Sequence, residues 1–320
     1  MRQLLRQAGK QLKVCAQPWQ TTRCFLQKLC TLPPNVPQLD AGHVGHSHDR
    51  AHVSQIHHFL DTAGILKVNL HFEDSSCRYL EQVVRSLNRE HGHGLPIDHS
   101  ASRGWFWDVR PVCDNSAPTT PTSKGTAGRR PRARSETMNT FPWHTDCSYE
   151  NSPPRFFALQ VLYPDKCGGG VLSVLPVDCL LARLSSGARE ALSTAEYRIQ
   201  VPPEFIKDSD QLSIVGPVLA VEKSSHAGTP HRPQLRFRAD IFTPLTGRAE
   251  AALQELRSLL HGPDIAKEVL HLTPALLPEG TLILLDNRRW LHARNEVKDP
   301  DRHLRRVRWD ARPFGEECPK

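Results

Sequence analysis

No run of 18 apolar residues occurs anywhere in the 320-residue sequence, so no segment offers the apolar length that a membrane-spanning helix needs. There is no C-x-x-C pair. The nine cysteines (Cys15, Cys24, Cys30, Cys77, Cys113, Cys147, Cys167, Cys179 and Cys318) are odd in number and scattered. That distribution argues against a zinc ribbon or a disulfide scaffold and suits a reducing compartment. Nothing recurs at a fixed period, and the length is that of one large domain or two small ones. Acidic residues are missing from 1–39, which carry six bases (Arg2, Arg6, Lys10, Lys13, Arg23 and Lys28). Without those six the net charge of +7 falls to +1. The basic character belongs to one tail and does not describe a nucleic-acid-binding face.

The acid-free segment 1–39 has the composition of a mitochondrial transit peptide, and equally that of a disordered basic leader. It lacks the uninterrupted apolar core of a secretory signal. The expected location is the cytoplasm, or the mitochondrion if 1–39 is a targeting segment. Pro33-Pro34-Asn35-Val36-Pro37 reads as a linker, and 40–316 as a single domain. Within it, 114–135 is nearly devoid of apolar side chains and rich in Ser, Thr, Pro, Gly and Arg. Such a stretch cannot bury a core and reads as a flexible insertion or lid loop.

The body alternates helical and strand patterns. His43, His46, His48, His52, His57 and His58 invite a metal-site reading. Their irregular spacing, with no cysteine nearby, favours a polar lead into a helix ending near Ala63. A strand follows at 65–70, then an amphipathic helix at 79–88 with Leu80, Val83, Val84 and Leu87 on one face. Trp105 to Arg110 alternates, and its tryptophans either line a pocket or fill the core. Strands are expected at 155–162, 171–175, 197–201, 214–221 and 281–285, and helices within 177–193 and from Thr246 to Leu260. Gly168-Gly169-Gly170 is not followed by Lys-Ser/Thr, so it is no phosphate loop. Residues 234–241 alternate cleanly and read as a strand. Its Arg236 and Arg238 then meet either an anionic substrate or a cross-strand acid.

One stretch organises the rest: Phe141-Pro142-Trp143-His144-Thr145-Asp146. In a strand, residues i and i+2 share a face, so His144 and Asp146 project side by side toward one metal ion. A single H-x-D is a weak signal. The partner is His292, in Asp286-Asn287-Arg288-Arg289-Trp290-Leu291-His292-Ala293-Arg294, placed after a strand-like apolar run. Two histidines and a carboxylate make the facial set of non-haem Fe(II) oxygenases. Downstream, Arg302, Leu304, Arg306 and Arg308 alternate, giving a strand one cationic face. Arginine suits a buried carboxylate through its bidentate fork.

The order H-x-D, a long insert, D-N-R-R-x-x-H-x-R and R-x-x-x-R resembles the TauD/TfdA-like family (taurine dioxygenase, clavaminate synthase-like) over about 56–314. The resemblance implies a mixed α/β, mainly β chain with a distorted double-stranded β-helix (a cupin-like jelly roll) and flanking helices. It implies Fe(II) held by His144, Asp146 and His292, with 2-oxoglutarate as co-substrate. Arg302 would anchor the co-substrate, and Arg306 would face the metal and touch co-substrate or substrate. The reaction implied is hydroxylation, desaturation or cyclisation of a small carboxylate- or amino-acid-like substrate by O₂, releasing succinate and CO₂. One position departs: Val171 stands where the family has a co-substrate-binding threonine, and Ser173, two residues along, is the expected replacement. Neither nucleic acid nor membrane is expected as a partner, and oligomeric state is not indicated. A non-catalytic or degenerate cupin-like metal-binding protein, a demethylase on the same barrel and a zinc hydrolase stay open as rivals.

Overall fold

A computed structural model describes residues 36–98, 104–112, 132–222 and 232–315. The expected leader, up to residue 35, and most of the 114–135 loop lie outside the described residues. After β1 (Gln38–Ala41), the Asp49 side chain caps α1 (Arg50–Thr62) by accepting from the His52 N–H, as an N-terminal turn requires. β2 (Ile65–Leu70) leads to α2 (Arg78–His91), which ends at Gly92 in the left-handed region, φ 66°. α2 buries Leu80, Val83, Val84 and Leu87, the face its period predicts. Then come β3 (Trp107–Val109), β4 (Phe141–His144), β5 (Pro154–Tyr163), β6 (Leu172–Pro176), α3 (Val177–Leu181), α4 (Ser186–Leu192), β7 (Tyr197–Gln200), β8 (Ser213–Gly216), β9 (Leu219–Glu222) and β10 (Arg232–Leu235). The chain closes with β11 (Phe242–Pro244), α5 (Gly247–Leu260), α6 (Pro263–Ala266), β12 (Leu270–Leu272), β13 (Thr281–Asp286), β14 (Trp290–Arg294) and β15 (His303–Ala311).

Two sheets matter for the site. The larger has the order β1-β2-β13-β5-β15-β3 and the smaller β12-β6-β14-β4. β5 lies between β13 and β15, antiparallel to both. Its side chains alternate between two faces. Phe156 and Ala158 pack with the α1 and α2 side chains Val53, Ile56, Leu60, Leu80 and Leu87. Phe157, Leu159 and Val161 face the other way and meet Leu172, Val174 and Trp290 of the smaller sheet. The outer face of that smaller sheet, with Leu175 and Leu291, is covered by α3 to α5. The faces of the two sheets therefore enclose one apolar layer, and the polar residues described below interrupt it.

One expectation changes. Residues 234–241 do not form one strand: β10 stops at Leu235. Beyond it Phe237 is recruited by the loop after β4, since its carbonyl accepts from the Thr145 N–H and its N–H donates to Thr145 Oγ1. The alternation was real, but the hydrogen-bonding partner changes along it. The histidine tract leads into and packs along α1, as its irregular spacing favoured, with His52 Nε2 2.6 Å from the Tyr79 hydroxyl and His57 Nδ1 3.0 Å from His93 Nε2. Trp107 is a core residue, and Trp105 lies under the Arg85 guanidinium at 4.2 Å.

Candidate metal centre

β4 and β14 are antiparallel neighbours, and their register sets His144 directly opposite His292. The chain leaves β4 at His144 and turns Asp146 back toward both imidazoles. Asp146 Oδ1 lies 3.9 Å from the Nε2 of each histidine. One ligand atom from each of the three residues falls within 4.8 Å of the others, and all three side chains are buried. His144 Nδ1 lies 2.8 Å from the Pro142 carbonyl, which can only accept. Nδ1 therefore carries the proton and Nε2 presents its lone pair. Burial first, and then the neighbouring His292, hold His144 well below the usual imidazole range, which keeps it in the neutral form a ligand needs. Asp146 Oδ2 is buried with no hydrogen-bond partner. A buried carboxylate oxygen in that position is costly to leave unmatched, and a cation beside it removes the cost. The donor set of two imidazoles and one carboxylate fits Fe(II).

Asn287 sets where Asp146 sits. Its side-chain Oδ1 accepts from the Asp146 N–H at 2.7 Å, and its Nδ2 donates to the carbonyls of Asp146 (3.0 Å) and Pro154 (2.9 Å). One amide thus satisfies both peptide groups of a ligand, 141 positions away in the chain. The next residue, Cys147, adopts φ 54°, the left-handed region that a non-glycine residue enters at some cost. Arg306 donates to Asp146 Oδ1 at 3.1 Å. Burial opposes ionisation of Asp146, yet Arg306, His292 and Arg308 outweigh it and hold the carboxyl well below the usual range.

The other end of the layer between the sheets is cationic. Arg302 precedes β15 and is only 4% exposed, and its Nη1 has no partner. Gly170 leans on it: a Cβ there would fall 2.6 Å from Arg302 Nε, and Gly170 has φ 64°, so a side chain at 170 is doubly excluded. Asp165 fixes this corner. Its carboxylate accepts from the backbone N–H groups of Cys167, Gly169, Lys298 and Asp299 at 2.8–3.2 Å. The turn before β6 is thereby tied to the loop that carries Arg302.

The structure brings His144, Asp146, His292 and Arg306 together, with Arg302 buried farther along. It does not bring Ser173 with them. On β6, Val174 stands opposite His292 and faces inward, so Ser173, paired with Ala293, faces outward. Its hydroxyl lies 2.9 Å from His271 Nδ1. The expected replacement hydroxyl is therefore corrected. The expectation ran from Val171, which stands just before β6, whereas the inward residues of β6 are Leu172 and Val174. Arg306 is also more specific than expected: it is the ion-pair partner of Asp146. Arg236 is engaged by the Pro217 carbonyl, and Arg238 by Asp240 at 2.9 Å. Asn287, Asp165 and Arg294 received no role from the sequence. Asn287 sits inside the D-N-R-R motif, and that was the available signal.

Residues 93–308 match the family described as taurine catabolism dioxygenase TauD, TfdA family. Solved structures of similar fold include asparagine oxygenase in complex with Fe(II), (2S,3S)-3-hydroxyasparagine and succinate. It is 20% identical over 84% of this chain and 83% of that one, with a TM-score of 0.61. The non-heme iron oxygenase OrfP in complex with Fe and α-ketoglutaric acid is 15% identical over 87% and 93%, TM-score 0.56. The PvcB protein from Pseudomonas aeruginosa is 18% identical over 85% and 84%, TM-score 0.54. At these identities the likeness is one of fold. A search of curated proteins finds no match. The family match spans well over half of the sequence and contains His144, Asp146, His292, Arg302 and Arg306, and the chain belongs to the TauD/TfdA family of Fe(II)- and 2-oxoglutarate-dependent dioxygenases.

Proposed function

We propose that this protein oxidises a C–H bond of a small amino-acid-like substrate, by hydroxylation, desaturation or cyclisation, at a centre formed by His144, Asp146 and His292. We further read the two facing sheets as the distorted double-stranded β-helix of the family. The observation that carries the reading is the buried triad, with Asp146 Oδ2 unmatched inside it. Fe(II) with 2-oxoglutarate and O₂ would supply the oxidising chemistry, with release of succinate and CO₂. The chain's own part is placement. His144 offers Nε2 because Pro142 holds its Nδ1 proton. Asn287 fixes the Asp146 backbone, and Arg306 keeps that carboxylate charged. Arg302 supplies a buried cation for the far end of the co-substrate.

The cleft beside His144 and Asp146 is lined by Glu204 and by Arg238, which is paired with Asp240. A rim with both signs of charge suits a substrate that carries both. Asparagine oxygenase and OrfP are described with hydroxylated asparagine and hydroxylated arginine bound, which supports an amino acid as the substrate class. The test begins with metal-free protein under anaerobic conditions: Fe(II), then 2-oxoglutarate, followed by the visible charge-transfer band. Amino acids and their N-acylated and esterified forms are then screened for O₂-dependent succinate. A band together with succinate stimulated by free amino acids is the expected result. Iron bound with no band sinks the co-substrate reading, and stimulation by neutral analogues alone sinks the substrate class.

A further inference from the structure

Two buried guanidinium groups lie in the layer between the sheets, and neither has a carboxylate partner among the described residues. Arg302 is one. Arg294, 7% exposed, is the other. Arg294 is two residues beyond His292 on β14, and both face inward, opposite Leu172 and Val174 of β6. Two strand residues advance the chain by roughly 6.6 Å, comparable to the on-the-order-of-5 Å reach of a five-carbon diacid held at one end. Arg294 Nη2 is held by the carbonyls of Thr137 and Asn139. That fixes the plane of its guanidinium and leaves Nε buried with no partner. Both guanidinium groups are buried, and an arginine side chain keeps its charge at neutral pH. The acid whose charge reaches Arg302 is Asp165, and its two oxygens are spent on four backbone N–H groups. Two like charges so placed, with no carboxylate in ion-pair contact among the described residues, favour an anion.

We propose that Arg294 is a co-substrate-selecting residue: with Arg302 it forms a two-arginine seat for the far carboxylate of the 2-oxo diacid. Ser173 cannot contribute, because it faces outward. The two guanidinium groups make the second carboxylate, rather than the keto acid head, the feature that the site selects. The assignment rests on the proposed co-substrate, and the experiment separates the two.

The full-length protein, loaded anaerobically with Fe(II), is titrated with 2-oxoglutarate and with 2-oxobutyrate, which has the same keto acid head and no far carboxylate. The charge-transfer band and calorimetry report the dissociation constants without turnover. Wild type should prefer 2-oxoglutarate strongly. Arg294→Gln should weaken 2-oxoglutarate by about ten- to a hundredfold and leave 2-oxobutyrate within about twofold, so the second ligand doubles as the test of folding. Arg294→Lys, which keeps the charge but not the fork, should fall between. Unchanged 2-oxoglutarate affinity in Arg294→Gln overturns the proposal, and so does an equal loss of both ligands. A wild type that does not distinguish the two keto acids overturns the co-substrate reading as well. A crystal structure of wild type with a redox-inert metal and 2-oxoglutarate decides without any variant: the far carboxylate sits within hydrogen-bond distance of Arg294, or it does not and the assignment is wrong.

Discussion

The two ends of the layer between the sheets treat charge in opposite ways. At the metal end, charge is balanced by the protein itself: Asp146 is met by Arg306 at 3.1 Å, and its peptide groups are taken by Asn287. Unmatched there are the Asp146 Oδ2 oxygen, an acceptor suited to a cation, and two donors, His292 Nδ1 and Arg306 Nε. At the far end no acceptor stays open. Arg294 and Arg302 are buried, their unmatched atoms are donors, and the nearby acid Asp165 is committed to backbone amides. A site with a carboxylate oxygen open at one end and N–H groups open at the other specifies its contents: a metal ion, and an anion long enough to reach from it. Neither end is satisfied by water alone without leaving charge buried.

The sharpest way to break this comparison is at the metal end. His292→Ala and Asp146→Ala each remove one member of the proposed ligand triad, and both the charge-transfer band and succinate formation should vanish. Retention of the band in either variant means that iron is bound elsewhere. At the opposite end, Arg302→Ala should leave Fe(II) binding intact but weaken 2-oxoglutarate by on the order of a hundredfold, since charge-assisted contacts to a carboxylate are lost. Equal loss of iron and co-substrate would show that the two ends are not independent. Asn287→Ala touches no ligand atom directly. It should cost about 1–3 kcal/mol of stability by stranding the Asp146 peptide groups, read as a lower midpoint in thermal or urea unfolding. It should also lower metal affinity by about ten- to a hundredfold, while the ratio of 2-oxoglutarate to 2-oxobutyrate affinity stays as in wild type.

That ordering also tracks what could be read in the sequence. The clustered triad was legible because each member rests on a local rule: i and i+2 share a strand face for His144 and Asp146, and an apolar run delivers His292. The helices expected at 79–88 and from Thr246 to Leu260 were legible for the same reason, since a cap or a 3.6-residue period is a property of a short segment, and of the first helix only its end near Ala63 was read. Asn287 and Asp165 were not, because their function is to hold backbone groups brought close only by folding, 141 and up to 134 positions away. Arg294 was visible as the last letter of a motif, but nothing in the sequence says that no acid will pair with it. Residues 236–241 misled because alternation gives the two faces of a segment and is silent about which strand accepts its hydrogen bonds.

Ser173 shows the same limit at the smallest scale and gives the finest test. Strand parity is sound only from the right starting residue, and the inward residues of β6 are Leu172 and Val174. Counting from Val171 therefore assigned Ser173 to the wrong face. Val174 opposite His292 shows the inward face, and the 2.9 Å approach of Ser173 to His271 shows where the hydroxyl went. Ser173→Ala should consequently leave the 2-oxoglutarate dissociation constant within about twofold of wild type, with a stability loss of about 0.5–1.5 kcal/mol for the single lost surface hydrogen bond. A drop in co-substrate affinity comparable to that of Arg294→Gln would mean that the hydroxyl turns inward when the site is filled. The contrast between an outward serine and an inward pair of arginines would then fail at its far end.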